Sequence, residues 1–503
     1  MKTKIRRLIM IAAAVCLLLG CSAAAEPDAV FAAEKKPDAV SYQMKLKLDT
    51  KNNVLKETVT IRVKNGTGKT LHKMCLRDMT PGALAYAMTY YDTENKSLKS
   101  KISSVTLKGS RKKLKISRSK EKTVVWVDLG KKGAIRPGKT ASIVVRMKTD
   151  IPDRPDRFGV QKTKKGKLYA LSFCFPYLAD YKNGKWQKDP YFDDGESRSW
   201  DLADYNVTFR APKGYKVAAT GDSRTKGGVT KIEAKNVRDF AIMACNFMGK
   251  DSFKVKGVRI NNYYLKGKHQ KLYRKVSKLV AEDSFRIYSE KLGKYPYKEL
   301  DVVPALFGMG YGGMEFPGLV MANASSFQTD KLYDCWSLSD VVSHEIGHQW
   351  FYAVVGNREY REGWIDEGFT TLVERDLYGL TKCKSHRYLR KVETGYPTEA
   401  QRKADRKSLM STARQDYKGM KLNTPPNKYS KDQYYGDAEY EEAYMFLQEV
   451  RVQLGDKRFS RFLKDYYRTY SFKRATTKSI VKFIRSYDNS AKMKGILKFY
   501  LKL

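Results

Sequence analysis

From Ser41 to about Lys266 the chain alternates apolar and polar residues with a period of two. Tyr42-Gln43-Met44-Lys45-Leu46-Lys47-Leu48 is one such run and Glu57 to Val63 another, with turn signals such as Asn65-Gly66 and Lys108-Gly109 between runs. Successive side chains on a strand point to opposite faces, so this pattern buries one face and wets the other. It predicts an all-β domain over residues 41–266. After Gly267 the period becomes helical: Leu272, Val276, Leu279, Val280, Phe285 and Tyr288 recur on one stripe before Gly293 ends the run. A second domain, 267–503, is therefore expected, mainly helical with short strands.

Within it, Asp301-Val302-Val303 and Leu319-Val320-Met321 read as strands on either side of a glycine-rich loop, Gly308 to Gly313. No Gly-Lys-Ser/Thr follows, so that loop is not a phosphate-binding P-loop. Two helices come next. The first is predicted from an N-cap at Ser339 or Asp340 to Gly356, with Val342, Ile346 and Phe351 toward the core. The second is predicted from Asp366 to Gly379, with Ile365, Phe369, Leu372, Val373 and Leu377 on its buried stripe. Trp336, Trp350, Phe351, Trp364 and Phe369 are assigned to the core. The remainder to Leu503 reads as helical, with a polar, basic stretch at 381–433.

The first helix carries His344-Glu345-Ile346-Gly347-His348. Imidazoles at i and i+4 project from one helical face and reach a single metal ion, with Glu345 beside that face. A catalytic zinc takes three protein ligands and keeps a fourth position open. Glu367, at the start of the second helix, is the candidate third ligand, completing a His2Glu set for one Zn²⁺ per chain. The class with a third histidine would need glycine at position 351 and histidine at 354, where this chain has Phe351 and Val354. With such a ligand set Glu345 is the candidate general base.

Composition bears on where this chemistry operates. The 503 residues are 42% hydrophobic, enough for a substantial core and against wholesale disorder. No run of about 18 apolar residues occurs, so no membrane-spanning helix is predicted in the folded body. Lys2, Lys4, Arg6 and Arg7 precede an apolar stretch from Leu8 to Leu19, which reads as a signal peptide over 1–20. Residues 21–40, with Pro-Asp-Ala-Val repeated at Pro27 and Pro37, read as a tether. Lys and Arg outnumber Asp and Glu by 97 to 54, a formal charge of +43. On an exported chain that surplus points to lipid head groups or anionic wall polymers; no zinc-finger spacing, RNP motif or basic heptad makes nucleic acid a specific partner. The seven cysteines, Cys16, Cys21, Cys75, Cys174, Cys245, Cys335 and Cys383, have no CxxC spacing, and those of the folded body are expected as buried free thiols.

Two resemblances extend this reading. Leu18-Leu19-Gly20-Cys21-Ser22 resembles the bacterial lipobox, which implies a lipid-modified Cys21 anchoring the protein to the outer side of the cytoplasmic membrane. Ordinary cleavage within Ala23 to Ala33, leaving a secreted protein, is the alternative. The HExxH motif, with Gly312-Gly313-Met314-Glu315-Phe316-Pro317-Gly318 upstream and Trp364-Ile365-Asp366-Glu367-Gly368-Phe369 downstream, resembles the gluzincin aminopeptidase family that includes aminopeptidase N, over most of 41–503.

That resemblance implies a multidomain fold, a saddle-like β domain followed by a thermolysin-like α+β catalytic domain, and a zinc enzyme removing N-terminal residues from peptides. It implies that Glu315 binds the substrate's free α-amine, with Gly312, Gly313 and Met314 along the substrate, although the motif's usual Asn is Phe316 here. It implies that Tyr440, in Tyr440-Glu441-Glu442-Ala443, stabilises the oxyanion, as the Tyr of a Tyr-Glu-Lys-Gly pattern does; Lys and Gly are replaced, and Tyr434 and Tyr435 stand nearby. Glu374 either braces a ligand histidine or is an exposed helix carboxylate. The second amine-binding acid that many members supply from the β domain has no assigned counterpart. Two other readings stay open: an open-cleft metalloendopeptidase, and a non-catalytic surface protein that binds anionic polymers.

Overall fold

The computed structural model describes residues 35–90, 97–192, 195–308, 312–328, 334–412, 414–415, 417, 419–429 and 435–503. The expected leader, Cys21 and the tether up to residue 34 lie outside them, as does Tyr434. The alternating runs form β1 (Pro37–Asp49), β2 (Val54–Asn65), β3 (Ser100–Leu107), β4 (Thr140–Asp150), β5 (Ala203–Arg210), β6 (Asp222–Lys226) and β7 (Val229–Val237). They make one sheet in the order β6-β7-β5-β1-β2-β4-β3, in which β1 and β5 run parallel and the other pairs antiparallel. β1 thus starts inside the span read as tether.

The inward residues of this sheet, among them Tyr42, Met44, Leu46, Val59, Ile61 and Val145, share one hydrophobic core with two four-stranded sheets. A helix, Thr80–Tyr90, lies among these strands. It is a short Ala- and Leu-bearing segment with Pro81 in its first turn, a position where proline costs no hydrogen bond.

The second half is built on β8 (Met248–Val255), β9 (Val258–Leu265), β10 (Glu299–Ala305), β11 (Gly313–Phe316) and β12 (Leu319–Asn323), ordered β8-β9-β10-β12-β11. β9 pairs parallel to β10, with Arg259 opposite Glu299, so this sheet crosses the boundary expected at 266/267. The period of a strand records which face is buried, not which sheet it joins. Helix α1 (Gln270–Lys291) follows and buries Tyr273, Val276, Val280, Phe285 and Tyr288.

Helix α2 (Cys335–Gly347) differs from expectation at both ends. Its N-cap is Asp334, whose carboxylate accepts from Ser337 N at 2.7 Å, not Ser339 or Asp340. It stops at Gly347 rather than Gly356, because the chain reverses there. Tyr352 takes φ 130°, and Val355 N donates to the Trp350 carbonyl at 3.0 Å. The second predicted helix begins at Trp364 as α3 (Trp364–Leu372) and continues as a π-helical turn, Val373–Tyr378. A second π turn, Asp437–Glu442, leads into α4 (Ala443–Leu454). Trp350, Phe351, Trp364 and Phe369 are buried, the last with its ring centroid 4.5 Å from Tyr466. Trp336 is not core: it is 40% exposed, against Tyr396. Cys75, Cys174, Cys245, Cys335 and Cys383 are buried and unpaired. Among the described residues no helix is long and apolar enough to cross a membrane.

Candidate active site

α2 presents His344 and His348 one turn apart, and α3 brings Glu367 to them. His344 Nε2 lies 3.1 Å from His348 Nε2, and each is 3.2 Å from Glu367 Oε2. The outer ring nitrogens are spoken for. His344 Nδ1 is 3.1 Å from the Glu374 carboxylate and His348 Nδ1 is 3.0 Å from the Phe351 carbonyl, with Thr370 Oγ1 at 3.1 Å. A proton donated from each Nδ1 leaves both Nε2 atoms as bare lone pairs facing a carboxylate oxygen. Such a triangle repels itself unless a cation sits against it. A tetrahedral zinc with ligands at about 2.0–2.1 Å sets adjacent ligand atoms roughly 3.3 Å apart, so the residues present fit the ion. The surroundings favour positive charge in the same sense. Burial opposes a charged His344, but its bonds to Glu367 and Glu374 outweigh that; burial also opposes a charged Glu367, yet His348 and His344 hold its carboxyl well below the usual range.

Glu345 projects beside the triangle, 7% exposed, and its Oε2 has no hydrogen-bond partner. Burial pushes its carboxyl well above the ordinary range; His344 works against this, and the Glu315 and Glu367 charges add to it. The strand β11 passes so close that a Cβ on Gly313 would stand 2.4 Å from Glu345 Oε1, which only glycine avoids. A Cβ on Gly368 would stand 2.6 Å from the Ala443 Cβ, so that glycine lets α3 and α4 pack closely beneath the ligands.

Across the cleft, Glu315 on β11 pairs with Arg198, a fully buried guanidinium. Arg198 also contacts Glu196 at 2.7 Å, Glu359 at 2.9 Å and Asp239 at 3.4 Å, while Arg157 pairs with Glu196 from the other side. Glu196, Glu315 and Glu359 lie close enough to resemble a second metal cage, but Arg198 fills its centre. Of these carboxylates, Glu196 and Glu315 reach the cleft wall, where they offer acceptors to a cationic substrate group. Phe316, at the position of the family's Asn, is buried with Arg198 stacked 5.5 Å from its ring.

Tyr440 arrives on the π turn before α4. Its hydroxyl donates to Glu367 Oε1 at 2.7 Å and its ring stacks 5.7 Å from His344. Burial, then the Glu367 charge, keeps this phenol protonated far above its ordinary range. A cleft of about 770 Å³ is lined by Gly312, Gly313, Met314, Glu315, His344, Glu345, His348, Glu367, Glu374 and Tyr440, all singled out from the sequence. It is also lined by Arg157, Glu196 and Tyr435. Glu196 and Arg198 were not found from sequence, since they sit in an irregular segment, residues 195–202, with no periodicity to mark a buried face.

Two imidazoles and a carboxylate from two helices, with a carboxylate beside them whose Oε2 is unengaged, define a metal centre of the His2Glu zinc-peptidase class. Residues 268–500, a little under half of the chain, match the Peptidase family M1 domain. Aminopeptidase B of Mus musculus is 27% identical over 216 residues, 42% of this chain and 31% of that protein. Leucine aminopeptidase 2 of Yarrowia lipolytica is 25% identical over 186 residues, 36% of this chain and 27% of that one. The match therefore spans about a third or less of the curated relatives' length. An M1 zinc metallopeptidase from Deinococcus radiodurans has the same fold, with a TM-score of 0.62 at 16% identity, covering 93% of this chain and 95% of the other.

Proposed function

We propose that this protein is a zinc-dependent aminopeptidase with one metal ion per chain, acting outside the cytoplasmic membrane. The observation that carries the reading is the buried acidic wall, Glu315 with Glu196, in the same cleft as the His344–His348–Glu367 triangle. A bound zinc supplies Lewis acidity toward a peptide carbonyl and acidifies water. Glu345, through its unengaged Oε2, takes the proton of the attacking water and passes it to the leaving amine. Glu315 and Glu196 receive the substrate's terminal ammonium, which orients the first peptide bond toward Glu345. Arg198, pinned by four carboxylates, holds Glu315 in place. The Tyr440 hydroxyl, a protonated donor at any working pH, turns to the carbonyl oxygen as that atom gains charge.

The test is zinc content together with hydrolysis of matched free and N-acetylated chromogenic peptides by purified protein, Glu345→Gln and Glu315→Gln. About one zinc per chain, cleavage of free-amine substrate only, loss of turnover with zinc retained in Glu345→Gln, and selective loss on free-amine substrate in Glu315→Gln are expected. Cleavage of acetylated and free peptides alike would make the protein an endopeptidase instead. Export with a lipid anchor at Cys21 is part of the same proposal. It is checked by incorporation of labelled fatty acid that Cys21→Ala abolishes; a label retained by that variant refutes it.

A further inference from the structure

The outer face of the seven-stranded sheet carries a charge pattern that peptide hydrolysis does not use. Cross-strand register lines up one residue from each of five neighbouring strands. Arg210 on β5 lies opposite Lys47 on β1, Lys47 opposite Lys56 on β2, Lys56 opposite Lys148 on β4, and Lys148 opposite Lys101 on β3. All five are exposed. With strands about 4.8 Å apart, the row runs roughly 19 Å across the sheet. Two residues further along the strands, Lys45 and Arg146 stand on the same face on either side of Thr58.

Like charges directly opposite one another on neighbouring strands destabilise a sheet, and here every cross-strand pair of the row is of one sign. Glu57, beside Lys56, is buried, and burial pushes its carboxyl well above the ordinary range. The acids at the strand ends, Asp49 and Asp150, are engaged by turns: Asp49 accepts from Asn52 Nδ2 at 2.8 Å and Lys51 N at 3.1 Å, and Asp150 from Lys99 N at 3.0 Å. Ion pairs of the β domain, among them Lys36–Asp201, Arg118–Asp78 and Lys162–Asp153, lie elsewhere. Toward the other end of the sheet the charge pattern changes, with Asp222 opposite Glu233. Arg224 and Lys231 oppose each other beside that acidic pair, so this end carries both signs, whereas the row from Arg210 to Lys101 carries one.

That band lines a trough of about 610 Å³, walled by Lys45, Lys47, Lys56, Lys148 and Arg210. We infer that the trough binds a linear phosphate-linked polymer, lying across the strands along the row from Arg210 to Lys148. A single row of lysine and arginine side chains supplies charge and phosphate donors at strand spacing but no pattern for reading bases, so the polymer is held by its backbone. This surface is independent of the catalytic reading and would hold the protein on an anionic envelope polymer while the cleft works.

The test is binding of inorganic polyphosphate to the purified protein, by calorimetry over a series of salt concentrations. Five contacts predict a slope of log K against log salt of about −3.5, and Lys47→Ala/Lys56→Ala/Lys148→Ala should reduce it to about −1.4 with at least roughly ten-fold weaker binding. A charge-matched control, Lys482→Ala/Lys492→Ala/Lys494→Ala on exposed positions of the C-terminal helices, should stay within about two-fold of the parent. Because the row variant relieves repulsion, its unfolding temperature should equal or exceed the parent's, which separates lost binding from lost fold. Equal weakening by both triple variants, or no saturable binding by the parent, overturns the inference. Tighter row-dependent binding to anionic phospholipid vesicles than to polyphosphate overturns it in favour of a membrane surface.

Discussion

Glu374→Gln keeps the shape of a side chain that touches His344 and removes its charge. In the folded protein Glu374 Oε2 is 3.1 Å from His344 Nδ1 and the side chain is 13% exposed, so solvent screens the contact little. The bond holds the proton on Nδ1 and the lone pair on Nε2, the atom that faces His348 and Glu367. A hydrogen bond to a charged partner contributes about 1.5–3 kcal/mol and a neutral one about 0.5–1.5 kcal/mol. The difference, roughly 1–1.5 kcal/mol, corresponds to about ten-fold in an equilibrium constant. Zinc affinity, measured by competition with a chromophoric chelator at fixed pH, should therefore weaken about ten-fold in Glu374→Gln. In Glu374→Ala, where the Nδ1 proton has no acceptor, the loss should approach roughly 100-fold. His348 supplies the comparison. Its Nδ1 reaches the Phe351 backbone carbonyl, so Thr370→Val, which removes only the neighbouring hydroxyl, should change affinity less than about three-fold. Zinc bound as tightly by Glu374→Gln as by the parent would refute the argument that this carboxylate sets the tautomer of His344.

Tyr440→Phe should lower kcat by about 10²–10³ with KM little changed, the loss typical of one oxyanion donor; if Tyr435→Phe gives the same loss, the role belongs to that neighbour. Burial, and then the charge of Arg402, pushes the His386 imidazole down to about 4. The side chain is 1% exposed and neutral when folded, whereas unfolded it titrates near 6.5. Stability from this group is thus complete above about pH 6.5 and lost as pH falls through about 4, a total of roughly 3 kcal/mol. Urea unfolding at about pH 7 and pH 4 should show that loss in the parent and a smaller one in His386→Gln; equal acid sensitivity of the two would refute it.

The ligand pair was legible because both histidines lie on one helical turn, where spacing alone sets direction. Glu367 was legible because the next helix starts a short loop later. The ends of α2 were not. Asp334, Ser339 and Asp340 are all competent caps by residue type, and Asp334 takes the role because Ser339 and Asp340 are drawn to Tyr378 and Arg402 from other parts of the chain. Both π turns escaped a reading based on a 3.6-residue period, and they carry Glu374 and Tyr440 to His344 and Glu367. Trp336 shows the converse, an aromatic residue that composition assigns inside and packing leaves half in water.

By itself, then, the amino-acid sequence determined the strand and helix halves and picked out His344, Glu345, His348 and Glu367, which the structure brings together, because each rests on local periodicity or on spacing along neighbouring elements. Tertiary structure decided that β8 and β9 join the sheet that carries Glu315, that Arg198 sits among Glu196, Glu315, Glu359 and Asp239, and that five cations from separate strands fall into one row. Those relations link residues far apart in the chain through strand register and burial. They are settled only when the whole core has packed, and no local window of sequence contains them.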